Sequence, residues 1–275
     1  MSWLVLFLSF LATSASALDL NTRLPDGDVA RERTGDVRAA WYVGPTERYA
    51  HAVLGDGIEA AGLMVRDDNG DEQRIVLPPN AVFEDLTPRI VDLDDDGSSE
   101  IVTIRSTQSG GGAIAVYGLR NGRLIEIAAT PEIGIRNRWL NPAGIADFDG
   151  DGVKEVAVVR TPHIGGTLQF WSFQNGRARK VAEQFGFSNH AIGSRALDLS
   201  FVADADGDGV DDLFLPDTRR QMIIAVSVKA GEVVRLKQVD LSSQITGNLT
   251  GSRRAKGIAI RVPTRAGDEI VKFDP

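Results

Sequence analysis

The 275-residue sequence has no cysteine. Disulfides, thiolate metal sites, iron–sulfur clusters and cysteine nucleophiles are excluded, so any bound metal must rest on oxygen or imidazole ligands. Histidine is nearly absent too. His51, His163 and His190 fall in separate segments without the spacing of a zinc-protease motif, and they read as ordinary loop or core residues. There is no G-x-S-x-G elbow, no P-loop and no dinucleotide fingerprint. No segment of useful length carries helical periodicity, and no Pro/Ser-rich linker divides the chain. What remains is 43% apolar residues, enough for a sizeable core in one domain.

The only long apolar stretch is at the start. Met1 to Ala17 contains no charge, runs through Trp3-Leu4-Val5-Leu6-Phe7-Leu8 and ends in Ala15-Ser16-Ala17. This is the pattern of a secretory signal at residues 1–17, cleaved before Leu18, and the run is shorter than the roughly 18 residues of a spanning helix. With no cysteine to lipidate, the expectation is an exported, periplasmic or extracellular protein of residues 18–275 with no membrane span in the mature chain.

Charge is unevenly placed. Fourteen of the 38 carboxylates lie in three short loops, and without them the formal −8 would become +6. Concentrated acidity suits metal sites rather than a general repulsive surface, and three divalent ions would bring the total to about −2. No nucleic-acid partner is expected.

The three loops also expose a repeat. Ile90-Val91-Asp92-Leu93-Asp94-Asp95-Asp96-Gly97, Ile145-Ala146-Asp147-Phe148-Asp149-Gly150-Asp151-Gly152 and Val202-Ala203-Asp204-Ala205-Asp206-Gly207-Asp208-Gly209 align. Each is followed by an acid and a second apolar strand. Hairpins turn at Asn121-Gly122 and Asn175-Gly176, where Asn-Gly suits a type I′ turn. Weaker copies flank these units. One runs from Trp41 through a strand at Tyr49–Leu54 and a turn at Asp68–Asp71, and the other turns at Arg265–Asp268. Repeats therefore begin near 38, 88, 143, 200 and 256. Tandem four-stranded units of about 50 residues predict an all-β protein, a β-propeller of antiparallel blades. Five blades are expected, with four or six as alternatives, and Leu18–Arg33 is expected to lend a strand to the incomplete last unit.

The pattern Asp-x-Asp-x-Asp-Gly-x-x-Glu/Asp sets oxygens at positions 1, 3, 5 and 9 of a tight turn. Calcium, which takes six to eight oxygens at about 2.3–2.6 Å, suits such a cage. The candidate ligands are Asp92, Asp94, Asp96 and Glu100; Asp147, Asp149, Asp151 and Glu155; and Asp204, Asp206, Asp208 and Asp212. Position 7 would add the backbone carbonyls of Ser98, Val153 and Val210. An EF-hand needs an acid at position 12, where Thr103, Val158 and Leu215 stand. About three structural Ca2+ sites are expected.

At these loops the sequence resembles the VCBS and FG-GAP repeat family, calcium-loop propellers related to the integrin α-subunit head. Phe185-Gly186 matches the FG element, while Phe214-Leu215-Pro216 stands where Gly-Ala-Pro would follow, which favours the VCBS-like branch. The resemblance implies calcium between the first two strands of each blade and a partner on the opposite face. There the connections between blades carry Arg138, Trp139, Asn141, His190, Arg195 and Arg254, an arginine-and-aromatic set suited to an anionic sugar or a carboxylate. The expected function is a monomeric, non-catalytic binding or scaffold module for a protein or glycan. The alternative is a carbohydrate-active, glycosidase-like enzyme with a carboxylate site in the central funnel, for which Asp198 and Asp217 are available.

Overall fold

The computed structural model describes residues 18–253 and 257–274; the expected signal at 1–17 and Arg254 lie outside them. Among the described residues every regular element is a β-strand. All strand pairings are antiparallel.

The first meander comprises β1 (Ala30–Arg31), β2 (Val37–Thr46), β3 (Glu59–Asp67) and β4 (Glu72–Val76). Next come a short strand, β5 (Ala81–Phe83), and a second meander of β6 (Arg89–Val91), β7 (Glu100–Thr107), β8 (Gly111–Arg120) and β9 (Arg123–Ala129). Because β5 pairs with both β3 and β7, these two units form one nine-stranded sheet. Two four-stranded sheets follow. The first contains β10 (Leu140–Ala146), β11 (Glu155–Arg160), β12 (Thr167–Gln174) and β13 (Arg177–Phe185). The second contains β14 (Phe201–Ala203), β15 (Asp212–Pro216), β16 (Met222–Lys229) and β17 (Glu232–Asp240). The last sheet has three strands, β18 (Thr250–Arg253), β19 (Ile258–Thr264) and β20 (Gly267–Phe273).

Burial explains this arrangement. Strands β8, β11 and β16 are largely apolar on both faces, and these three and β7 are buried along nearly their whole length, as strands covered on both sides must be. The fourth strands β13 and β17 alternate with exposed charges, as an edge facing water requires. Each apolar cluster is shared by adjacent units. One joins Val102 and Val116 to Val156 and Val158, a second joins Phe83 and Leu63 to Ile101 and Tyr117, a third joins Phe170 to Leu215 and Val226, and a fourth joins Phe214 to Ile260 and Phe273. No unit buries its strands alone.

Asn121-Gly122 and Asn175-Gly176 have positive φ at both residues, as a type I′ turn demands. Two expectations fail. Tyr49 to Leu54 forms no strand; this segment lies in the connection between β2 and β3, where Tyr49, Val53 and Leu54 are buried individually. The segment after Leu18 does lend a strand, but β1 pairs with β2 of the first unit. The last sheet keeps three strands.

Candidate functional site

The acidic loops join the first strand of a unit to the second, and the same three bonds hold each one. The position 1 carboxylate accepts the N–H of the glycine at position 6: Gly97 to Asp92 at 2.9 Å, Gly152 to Asp147 at 2.9 Å and Gly209 to Asp204 at 3.0 Å. Those glycines have φ near +90°, a conformation a side chain would strain. The position 5 carboxylate accepts the N–H of position 7: Ser98 to Asp96, Val153 to Asp151 and Val210 to Asp208, at 2.7 to 2.9 Å. The position 9 acid accepts the N–H of position 2: Leu93 to Glu100, Phe148 to Glu155 and Ala205 to Asp212. Position 2 is fixed because its side chain is buried in an inter-unit core.

Three groups of carboxylates converge with ligand oxygens within 4.8 Å of one another: Asp92, Asp94 and Asp96; Asp147, Asp149 and Glu155; and Asp204, Asp206 and Asp212. Each is an arrangement able to hold a metal ion, and donors that are all oxygen suit a hard cation. Asp151 and Asp208, expected at position 5, stand outside these groups and bind the turn instead.

Position 9 tests the fit to a cation. Glu155 and Asp212 are fully buried, and Oε1 of Glu155 and Oδ1 of Asp212 have no hydrogen-bond partner. A buried carboxylate oxygen left bare is costly unless a cation meets it. Burial, reinforced by Asp149, Asp151 and Asp147, pushes the Glu155 carboxyl up to about 7. Burial likewise pushes Asp212 up to about 6, with Asp206 and Asp208 adding to the effect. These residues therefore fit a divalent ion. In the first loop burial also raises Glu100, but Arg120 opposes it and donates to its Oε1 at 2.7 Å.

On the opposite face, three of the six expected ligand contacts are interior. Trp139 is buried and donates Nε1–H to the Glu84 carbonyl at 2.9 Å. Asn141 is buried and donates to the carbonyls of Asn189 and Leu197. His190 is buried, its Nε2 2.9 Å from the Ser194 carbonyl. A carbonyl only accepts, so that nitrogen carries the proton and Nδ1 accepts from His163 Nε2, 2.8 Å away. Burial lowers His163 to about 3 and His190 to about 4. Arg195 is paired with Asp26 and Asp56. The Arg138 guanidinium donates to the Asn137 carbonyl.

Sequence reasoning missed an interior carboxylate cluster. Glu84 holds His51 Nδ1 at 2.6 Å and accepts from the Ser106 hydroxyl. Beside it, buried Glu59 is pushed up to about 10 by desolvation, with Glu84, Asp56 and Asp85 adding repulsion. Asp85 binds Tyr42 and Arg89. No local motif could have revealed these contacts, because most partners are tens of residues apart. A cavity of about 280 Å³ is lined by Asp28, Arg89, Arg195, Asp198 and Asn248, among others. Asp28 and Asp198 are the acids of this cavity, whereas Asp217 accepts backbone N–H groups of its own turn.

Residues 92–158 match the FG-GAP-like repeat model, the segment holding the first two acidic loops. No curated protein matches the chain. Among solved structures, the exotype rhamnogalacturonan lyase YesX is similar at 15% identity and TM-score 0.44, covering 92% of this chain and 58% of the lyase. Rhamnogalacturonan lyase YesW is similar at 12% identity and TM-score 0.51, covering 92% of this chain and 52% of the lyase. The chain spans little more than half the length of either, and at such identity the likeness to YesW is one of fold.

Proposed function

We propose that this chain, which carries an FG-GAP-like repeat, is an exported five-bladed β-propeller that uses calcium structurally and acts as a non-catalytic module for binding an anionic glycan or protein. The observation carrying the calcium reading is the pair of buried, unpartnered oxygens on Glu155 and Asp212. When bound, the ion would supply the positive charge those carboxylates lack, with Asp147, Asp149 and Glu155 as ligands in one loop and Asp204, Asp206 and Asp212 in another.

The binding reading rests on the face carrying the connections between units. Arg136, Arg219 and Arg265 are exposed there, and among the described residues no carboxylate pairs with them. Ile135 and Ile192 stand exposed on connections between units, and Ile164 on the loop joining β11 to β12. Planar guanidinium groups beside apolar side chains suit carboxylate-bearing ligands. A structural neighbour is named for a polysaccharide, so acidic polysaccharides are the first ligands to try.

The test is affinity electrophoresis in gels containing acidic or neutral polysaccharide, after melting the chelator-treated chain with calcium or magnesium. Calcium-specific recovery of the melt, and retardation by the acidic polymer that Arg136→Ala and Arg219→Ala abolish, are expected. An unchanged melt overturns the calcium reading, and retardation indifferent to both substitutions overturns the assigned face. A second reading, the carbohydrate-active enzyme, draws on Asp28 and Asp198 in one cavity. Both are exposed, outside the apolar surroundings that set an acid catalyst apart from its partner. Release of reducing ends that Asp198→Asn abolishes would establish it.

A further inference from the structure

The three acidic loops share a backbone but differ in the cations around them. One position of the repeat carries a different side chain at each of the three loops. Arg120, Gln174 and Lys229 each end the third strand of a unit and pair across the hairpin with Arg123, Arg177 and Glu232. The register brings that strand end over the acidic loop, because Glu100 pairs with Gly118, two residues before Arg120.

In the first loop the Arg120 guanidinium holds Glu100 Oε1 while the Leu93 N–H holds Oε2. Both carboxylate oxygens are occupied, and Glu100 does not join the converging group of Asp92, Asp94 and Asp96. Lys154 of the next unit adds a second cation, donating to the Asp92 carbonyl at 2.9 Å and pairing with Asp95. The strand is also crowded at Gly118, two before the arginine, where a Cβ would lie 2.7 Å from Ile127 Cδ1 and 3.2 Å from Arg120 Nη1. The corresponding residues of the other units, two before Gln174 and Lys229, are Ser172 and Ser227.

In the second loop the equivalent side chain, Gln174, is neutral, and Glu155 Oε1 is bare. In the third, Lys229 lies 2.9 Å from Asp206 and 3.3 Å from Asp208. Its side chain is 46% exposed, and it leaves Asp212 Oδ1 bare. An exposed lysine is readily displaced, whereas a guanidinium on a buried carboxylate is held by the cost of separating them.

We propose that the residue ending the third strand sets what each loop takes. With Gln174 the second loop binds calcium most tightly, with Lys229 the third binds it more weakly, and in the first loop Arg120 stands in for the metal. This rests on the calcium reading above and fixes the number of ions at two.

The full chain, stripped with chelator, would be titrated with calcium in a calorimeter, and bound calcium measured after dialysis. Two ions of unequal affinity are expected. Arg120→Gln, which copies the second loop, should raise the count to three. Gln174→Arg should weaken the tightest site by about 10- to 100-fold, as outer-shell changes at metal sites do, and Lys229→Gln should tighten the weaker one. Three ions on the parent chain, or a tight site indifferent to Gln174→Arg, would overturn this assignment and leave the calcium reading standing. No bound calcium on any variant would overturn the calcium reading itself.

Discussion

Two buried acids place opposite demands on the folded protein. Glu155 is aimed at the mouth of a loop and has a bare oxygen, so its ionised form is costly without a cation and useful with one. In saturating calcium, Glu155→Gln should lower the melting temperature by about 5–10 °C, the effect of losing a site worth about 2.7 kcal/mol at a hundredfold excess over its Kd. In chelator the same variant should melt no lower than the parent, since its amide does not ionise. Differential scanning calorimetry in both buffers checks the pair of signs. Among the described residues no cation pairs with Glu59, and burial pushes its carboxyl up to about 10. Between its ordinary 4.5 and that value the folded chain keeps a proton the unfolded chain has lost, so stability falls as pH rises, by up to about 1.4 kcal/mol per unit. Glu59→Gln removes that slope. Urea midpoints should be alike at pH 4 and clearly higher for the variant at pH 9; a difference independent of pH would mean that Glu59 is not a buried neutral acid.

At the scale of elements, the units are tied by their connections as much as by their cores. Gly166 directly precedes β12, and its carbonyl accepts the N–H groups of Gly186 and Phe187, where the chain leaves the third unit for the fourth. A Cβ there would lie 1.5 Å from the Phe187 carbonyl oxygen, a backbone atom without a flexible tail to move aside. Gly166→Ala should cost more than about 3 kcal/mol, seen as a lowered urea midpoint. Gly122→Ala, in an exposed turn with no atom within 4 Å of a new Cβ, should cost only about 1 kcal/mol, the strain of its φ near +70°.

Across the whole molecule, stability is shared between neighbours. The last three-stranded sheet covers Leu199, Phe214, Ile223 and Ala225 of the unit before it. Removing residues 242–275 would bare that face, and the remaining chain should bind a hydrophobic dye and lose its cooperative melt rather than unfold one sheet later. A sharp, dye-free transition in the truncated chain would show that the units stand more independently than their shared cores imply.

The acidic loops, the strand order within each unit and the Asn-Gly turns were legible in the sequence because each depends on residues within about ten positions of one another. The antiparallel all-β architecture followed from the repeat for the same reason. Tyr49 to Leu54 misled because apolar residues buried one by one in a connection look like a strand. What only the tertiary structure decided is which groups meet across units: His163 on His190, Glu84 on His51, Trp139 turned inward onto the Glu84 carbonyl, and Arg120 on Glu100 rather than in solvent. Composition and periodicity carry the short-range geometry of a strand or turn. The partner of a buried charge is set by how sheets pack, because desolvation makes each such group depend on whichever neighbour the fold brings against it.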